Sequence, residues 1–163
     1  SDYELIRRLQ AFSANLFIHS MRVSVRSMRV AQKMEYNSLL AKAGGMYHEI
    51  GKIKKEENYV EATNDIAYAY DFPKCLTELI LQVCDKNEKP ESREAVVVML
   101  SDSIVSMIEY FEKNKDKSRP SKEKLIESVF ANRQKKGNFD NCDISEKEVE
   151  DIKEIYKNIN MDF

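Results

Sequence analysis

The chain has 163 residues, 42 % hydrophobic and 33 % charged, with only four glycines and three prolines, which excludes a disordered chain and a loop-rich β sandwich. Its formal net charge of −2 gives no basic footprint for duplex nucleic acid. The longest strictly apolar run, Ala95 to Leu100, falls far short of the roughly 20 residues of a membrane-spanning helix.

No secretory leader is visible at the start. Leu, Met, Ala, Glu and Lys supply many positions and favour helix, so the expectation is an all-α fold: a single domain over residues 1–163, a bundle of about seven helices. A short amphipathic helix fits residues 2–11, with Leu5, Ile6 and Leu9 on one side. Ser13 or Asn15 caps the next helix, which runs to about Tyr36. Along it His19, Arg22, Arg26, Arg29 and Lys33 form one stripe. The stripe is either a solvated face or a row in which Arg22 reaches an anionic ligand near His19.

Asn37-Ser38 caps a third helix from Leu39 to about Ile50, and Gly51 is expected at its C′ position. Residues 52–62 read as a loop, residues 63–71 as a short helix, and Pro73 as the start of a helix to Asp85. Ser92 caps the most apolar helix, Arg93 to about Lys113. A charged loop follows, then a helix from Ser121 to about Lys135 and a turn over 137–143. Ser145 with Glu148 makes a capping box for the last helix. Cys75, Cys84 and Cys142 lack CxxC spacing and read as free thiols in a reducing compartment rather than a zinc site.

Chemistry concentrates in Gly44-Gly45-Met46-Tyr47-His48-Glu49-Ile50-Gly51-Lys52, which holds three of the four glycines and one of the two histidines. His48 and Glu49 put an imidazole beside a carboxylate, and both can ligate a metal. The other histidine, His19, sits near the start of its helix and His48 near the end of the next, so an antiparallel pair of helices brings them together. Asp102 lies in the apolar helix with Val98, Met99 and Val105 as helical neighbours. A carboxylate in such company needs a partner. That partner is an arginine, a helix N-terminus, or a metal ion shared with the histidines.

His19-Ser20-Met21-Arg22-Val23, His48-Glu49-Ile50-Gly51-Lys52 and the Glu94–Ser103 stretch ending in Asp102 resemble the H…HD…D signature of the HD superfamily of metal-dependent phosphohydrolases. Within it, the chain resembles the cytosolic HD domain of bacterial seven-transmembrane proteins that cleave cyclic di-AMP. Leu5 to Leu9, Asn132-Arg133, Gly137 and Asn141-Cys142-Asp143 extend the likeness over nearly the whole chain. The resemblance implies a cytoplasmic HD domain with His19, His48, Glu49 and Asp102 on a divalent metal: manganese, iron, cobalt, nickel or zinc. It implies a nucleotide or cyclic dinucleotide ligand, a metal that polarises a phosphoryl oxygen and acidifies a water, and Lys52 and Arg22 on substrate phosphate.

Two positions depart from the family. Glu49 stands where the family has aspartate, and residues 54–101 hold no histidine, although that branch carries further histidines there for a second metal. Cys84 or Asp85 are the nearest stand-ins. A mononuclear phosphohydrolase is the first reading. The alternative is a degenerate HD domain that binds a nucleotide or a partner protein as a regulatory module. A homo-oligomer is compatible with the sequence, which specifies none.

Overall fold

The structure, a computed structural model, describes residues 2–161 of the expected 1–163 span. Eight α-helices follow one another: α1 (Asp2–Phe12), α2 (Ala14–Met34), α3 (Ser38–Tyr47), α4 (Tyr59–Ala69), α5 (Lys74–Cys84), α6 (Arg93–Lys113), α7 (Lys122–Lys135) and α8 (Glu146–Asn158). A short 3-10 segment, Ile50–Lys54, lies between α3 and α4. No strand occurs among the described residues, so the fold is all-α, one helix richer than the approximate count expected. No helix among them is long and apolar enough to cross a membrane.

Helix starts follow local side-chain chemistry. Ser13, Asn37, Ser92 and Ser121 each accept a hydrogen bond from a backbone N–H in the first turn of α2, α3, α6 and α7. Ser145 and Glu148 complete the capping box of α8. Asn58 caps α4, which therefore starts at Tyr59, four residues before the helix expected at 63. The loop expected over 52–62 is thus shorter than its polar composition suggested.

The helix from α3 also ends differently. It stops at Tyr47, His48 caps it in the right-handed region, and Gly51 sits inside the 3-10 segment without positive φ. Gly51 is small for a tertiary reason: a Cβ there would meet Tyr59 O at 2.9 Å and Thr63 of α4 closer still. Gly45 has a similar cause. A Cβ on it would stand 2.6 Å from Ser24 Cα, so its absence lets the α3 backbone lie directly against α2. Ser24 Oγ donates to Lys42 O at 2.8 Å across the same contact.

α6 runs through the middle, with every residue from Ala95 to Ser101 buried. On one side it packs with Leu125, Ile126 and Phe130 of α7 and Ile152 and Tyr156 of α8. Leu5, Leu9, Ile50, Ile66, Leu76 and Ile80 form a second cluster around α1, α4 and α5. Tyr156 O–H donates to Val97 O at 2.9 Å, and Ser101 meets the same hydroxyl at 2.6 Å. The cationic stripe on α2 is no solvated face. His19 and Arg26 are buried, Arg22 and Arg29 are half-buried with Arg29 donating to Asn160 O at 3.2 Å, and Lys33 alone of the stripe stays exposed. Cys75, Cys84 and Cys142 are free thiols.

Candidate metal centre

Three helices converge on one point. α2 brings His19, the end of α3 brings His48 and Glu49, and α6 brings Asp102. One ligand atom from each of these four side chains lies within 4.8 Å of the others. His19 Nε2 is 2.8 Å from Asp102 Oδ1 and 3.3 Å from Glu49 Oε1. His48 Nε2 is 3.2 Å from Asp102 Oδ1 and 3.4 Å from Glu49 Oε1. The two imidazole rings are 5.3 Å apart, centroid to centroid. The close Gly45–Ser24 backbone approach lies between the same two helices.

The far ring nitrogens are held too. His48 Nδ1 is 2.7 Å from Gly45 O, one turn back in the same helix. An N–H at Nδ1 donates there and leaves Nε2 facing the cluster. His19 Nδ1 is 2.6 Å from Glu109 Oε1, from α6 two turns beyond Asp102. Glu109 was not among the residues expected at the site. Its seven-residue spacing from Asp102 on one helix face was the available signal.

Burial alone would make both imidazoles weaker bases. For His19 it is outweighed by hydrogen bonds to Asp102, Glu49 and Glu109, which push its pKa up to about 10. For His48, Asp102 and Glu49 do the same, to about 9. Burial would likewise raise the carboxyls, yet bonds to His19 and His48 hold Glu49 and Asp102 far below the usual carboxylate range. These shifts all favour imidazoliums facing carboxylates when no ion is bound. A divalent cation would replace two protons with the same charge.

The donor set fits such an ion. Donor atoms about 2.0–2.2 Å from a metal stand roughly 3 to 3.5 Å apart, and the four separations above run from 2.8 to 3.4 Å. Each imidazole also has an oxygen acceptor at its far nitrogen, the usual means of orienting a ligating histidine. Two nitrogens and two carboxylate oxygens suit a borderline first-row metal or zinc. Among the described residues this is the one convergent group of three or more such donors, and neither Cys84 nor Asp85 belongs to it. Burial raises the Cys84 thiol to about 11 and keeps it protonated near neutrality.

The two expected phosphate-binding cations stand around the cluster, each on a carboxylate. The Lys52 ammonium pairs with Glu49 Oε2. Arg22 Nη1 donates to Glu112 Oε1 at 2.8 Å and lies 3.6 Å from Glu109 Oε2. A cleft of about 1180 Å³ opens on the side of His48 and Asp102, and another of about 740 Å³ on the side of His19 and Arg22. Glu49 and Lys52 line both.

Comparisons with known proteins point the same way. The HD domain family model matches residues 16–107. The cyclic-di-AMP phosphodiesterase PgpH of Bacillus subtilis (strain 168) is 21 % identical over 203 aligned residues, covering 93 % of this chain and 28 % of that protein. Ribonuclease Y of Onion yellows phytoplasma (strain OY-M) is 29 % identical over 99 residues, 59 % of this chain and 19 % of that protein. The chain therefore spans under a third of the length of either relative. The HD domain of the L. monocytogenes phosphodiesterase PgpH has a similar fold, with TM-score 0.78, 19 % identity and coverage of 94 % of this chain and 95 % of that one. A second structure of that domain, in complex with cyclic di-AMP, superposes with TM-score 0.75 at 19 % identity, over 94 % of each chain.

Proposed function

The chain belongs to the HD domain family, and on that premise we propose that it hydrolyses the phosphoester of a nucleotide or cyclic dinucleotide at a single metal centre held by His19, His48, Glu49 and Asp102. The observation that carries this reading is the convergence of two imidazole nitrogens and two carboxylate oxygens within 4.8 Å, on the linings of two clefts that share Glu49 and Lys52. The cyclic di-AMP bound by the L. monocytogenes domain supports the substrate class.

A divalent cation in this site supplies Lewis acidity toward a phosphoryl oxygen and lowers the pKa of a water. The chain's own residues do the rest. Gly45 O and Glu109 keep the histidine Nδ1 protons and turn both Nε2 atoms inward. Lys52 exchanges Glu49 for a phosphate oxygen and offsets charge that develops on it. Arg22, on the wall of the smaller cleft, exchanges Glu112 in the same way.

Turnover of bis-p-nitrophenyl phosphate and cyclic di-AMP, with and without added Mn²⁺, tests this. Metal-dependent hydrolysis that disappears in Asp102→Ala is the expected result. One observation favours a second reading: Glu49 extends one methylene beyond the family's aspartate and is held by Lys52. In that reading the domain binds its ligand without cleaving it. No turnover in the wild type and none in Glu49→Asp, with nucleotide binding retained, would favour it over hydrolysis.

A further inference from the structure

We propose that Arg133 is a phosphate-binding residue of the larger cleft, receiving the substrate's phosphate beside the metal centre. This inference rests on the reading that the substrate is a phosphoester. Arg133 projects from α7, is half-buried, and lines the cleft with Asp102, Lys52 and Lys136.

Within the larger cleft, Arg133 is held by neutral partners, whereas Lys52 pairs with Glu49. Arg133 Nε and Nη2 donate to Ser103 Oγ at 3.0 and 2.7 Å, and its Nη1 to Asn138 Oδ1 at 3.3 Å. All three acceptors are neutral. Arg22 and Arg93, by contrast, end on the carboxylates of Glu112 and Glu148. A guanidinium partly withdrawn from water is stabilised by a counter-ion, and this one has no carboxylate on it. Its surroundings register that: burial pulls its pKa down, with Asp102 only partly opposing.

The bonds of Arg133 fix where it could meet an anion. Ser103 directly follows Asp102, so the two bonds to its hydroxyl pin the guanidinium one residue from a metal-site carboxylate. Three of the five guanidinium N–H groups are used, and two remain for an acceptor in the cleft. A phosphate that reached the metal centre from the larger cleft would meet those two donors, and a planar guanidinium suits two phosphate oxygens at once. The plain alternative is that Arg133 only ties α7 to α6 through Ser103.

Inorganic phosphate titrated into the ¹⁵N-labelled metal-free chain separates these cases, with the Arg133 Nε–H resonance as the site-specific readout. The expected result is a saturable shift of that resonance. Arg133→Gln is expected to bind phosphate about 10- to 100-fold more weakly, and Arg133→Lys is expected to fall between it and wild type. A silent Arg133 resonance, or wild-type affinity in Arg133→Gln, would overturn the proposal. If Arg133→Gln does not fold, equal affinity of Arg133→Lys and wild type would overturn it. A purely structural tie predicts that Ser103→Ala and Arg133→Gln lower the melting temperature alike and leave phosphate affinity unchanged. Because turnover is not measured, loss of the hydrolase reading and loss of this proposal give different results.

Discussion

The chemistry of this domain turns on which atoms face the second nitrogen of each histidine. Nε2 of His19 and of His48 can both ligate only if Nδ1 holds the proton, and Gly45 O and Glu109 Oε1 are the acceptors that favour this. The two differ in kind. A backbone carbonyl cannot be changed by substitution, but Glu109 can. Glu109→Gln removes the carboxylate while keeping an acceptor oxygen, and is expected to weaken Mn²⁺ binding about 10- to 100-fold with an unchanged circular-dichroism spectrum. Calorimetric titration with Mn²⁺ checks this, and wild-type affinity would remove Glu109 from the account. Both imidazoles must also lose a proton to ligate, so Mn²⁺ affinity is expected to rise with pH over the range where His48 and His19 titrate, near 9 and 10 in the metal-free chain. That His19, His48, Glu49 and Asp102 come together was legible in the sequence because residue type and spacing mark them. Glu109 was not, because its seven-residue spacing from Asp102 gains meaning only once His19 of α2 lies across from it.

At the scale of the helix, the contact that matters most is the one between α2 and α3. Gly45→Ala would put a methyl 2.6 Å from Ser24 Cα, where backbone rather than a flexible side chain must move. Overpacking of this kind costs about 1–3 kcal/mol. The substitution is expected to lower the melting temperature by several degrees and, by parting His19 from His48, to weaken Mn²⁺ binding as well. A melt and a titration matching wild type would show that the helices approach less closely than described. Most helix starts were readable because a Ser or Asn cap acts on its own first turn; α4 was the exception, because its Asn58 cap lies in a polar run that reads as loop. The end of α3 was misread for the opposite reason: Gly51 looks locally like a C′ glycine, but its smallness answers to Tyr59 and Thr63 of α4.

A second inter-helix tie makes a pH prediction. Glu148, in the first turn of α8, takes hydrogen bonds from Arg93 Nε at 2.6 Å, from the Ser145 N–H and from the Tyr36 hydroxyl. Arg93 first, then the Ser145 backbone, lowers its pKa to about 2. A carboxyl depressed on folding stabilises the fold above its unfolded pKa, and that contribution fades as pH falls toward the folded value. Glu148→Gln is therefore expected to lower the melting temperature at pH 7 and to flatten its acid dependence between about pH 5 and 2. The contribution is modest because the pair is partly open to water. Parallel wild-type and Glu148→Gln melts across that window decide it.

For the molecule as a whole, a metal ion in the candidate centre would be a clasp between two of the hydrophobic clusters. α6 belongs mainly to the cluster with α7 and α8, the end of α3 to the one with α1, α4 and α5. A ligand bound only by the folded state stabilises it by about 2.7 kcal/mol at a hundredfold excess over its Kd. Mn²⁺ is thus expected to raise the melting temperature of the wild type and not of Asp102→Ala. The all-α class and the HD likeness were legible along the chain, since composition and a linear motif carry them. The partner of Arg29 on α2 was not, because Asn160, whose carbonyl accepts from it, comes from a distant part of the chain.

The central claim is one metal ion, held by four residues from three helices. Elemental analysis of the protein after loading with Mn²⁺ and desalting, for wild type and Asp102→Ala side by side, tests it most directly. The account predicts a single equivalent of metal in the wild type and none in Asp102→Ala, with both chains equally helical. No retained metal in the wild type, two equivalents, or the same metal content in both proteins would contradict it.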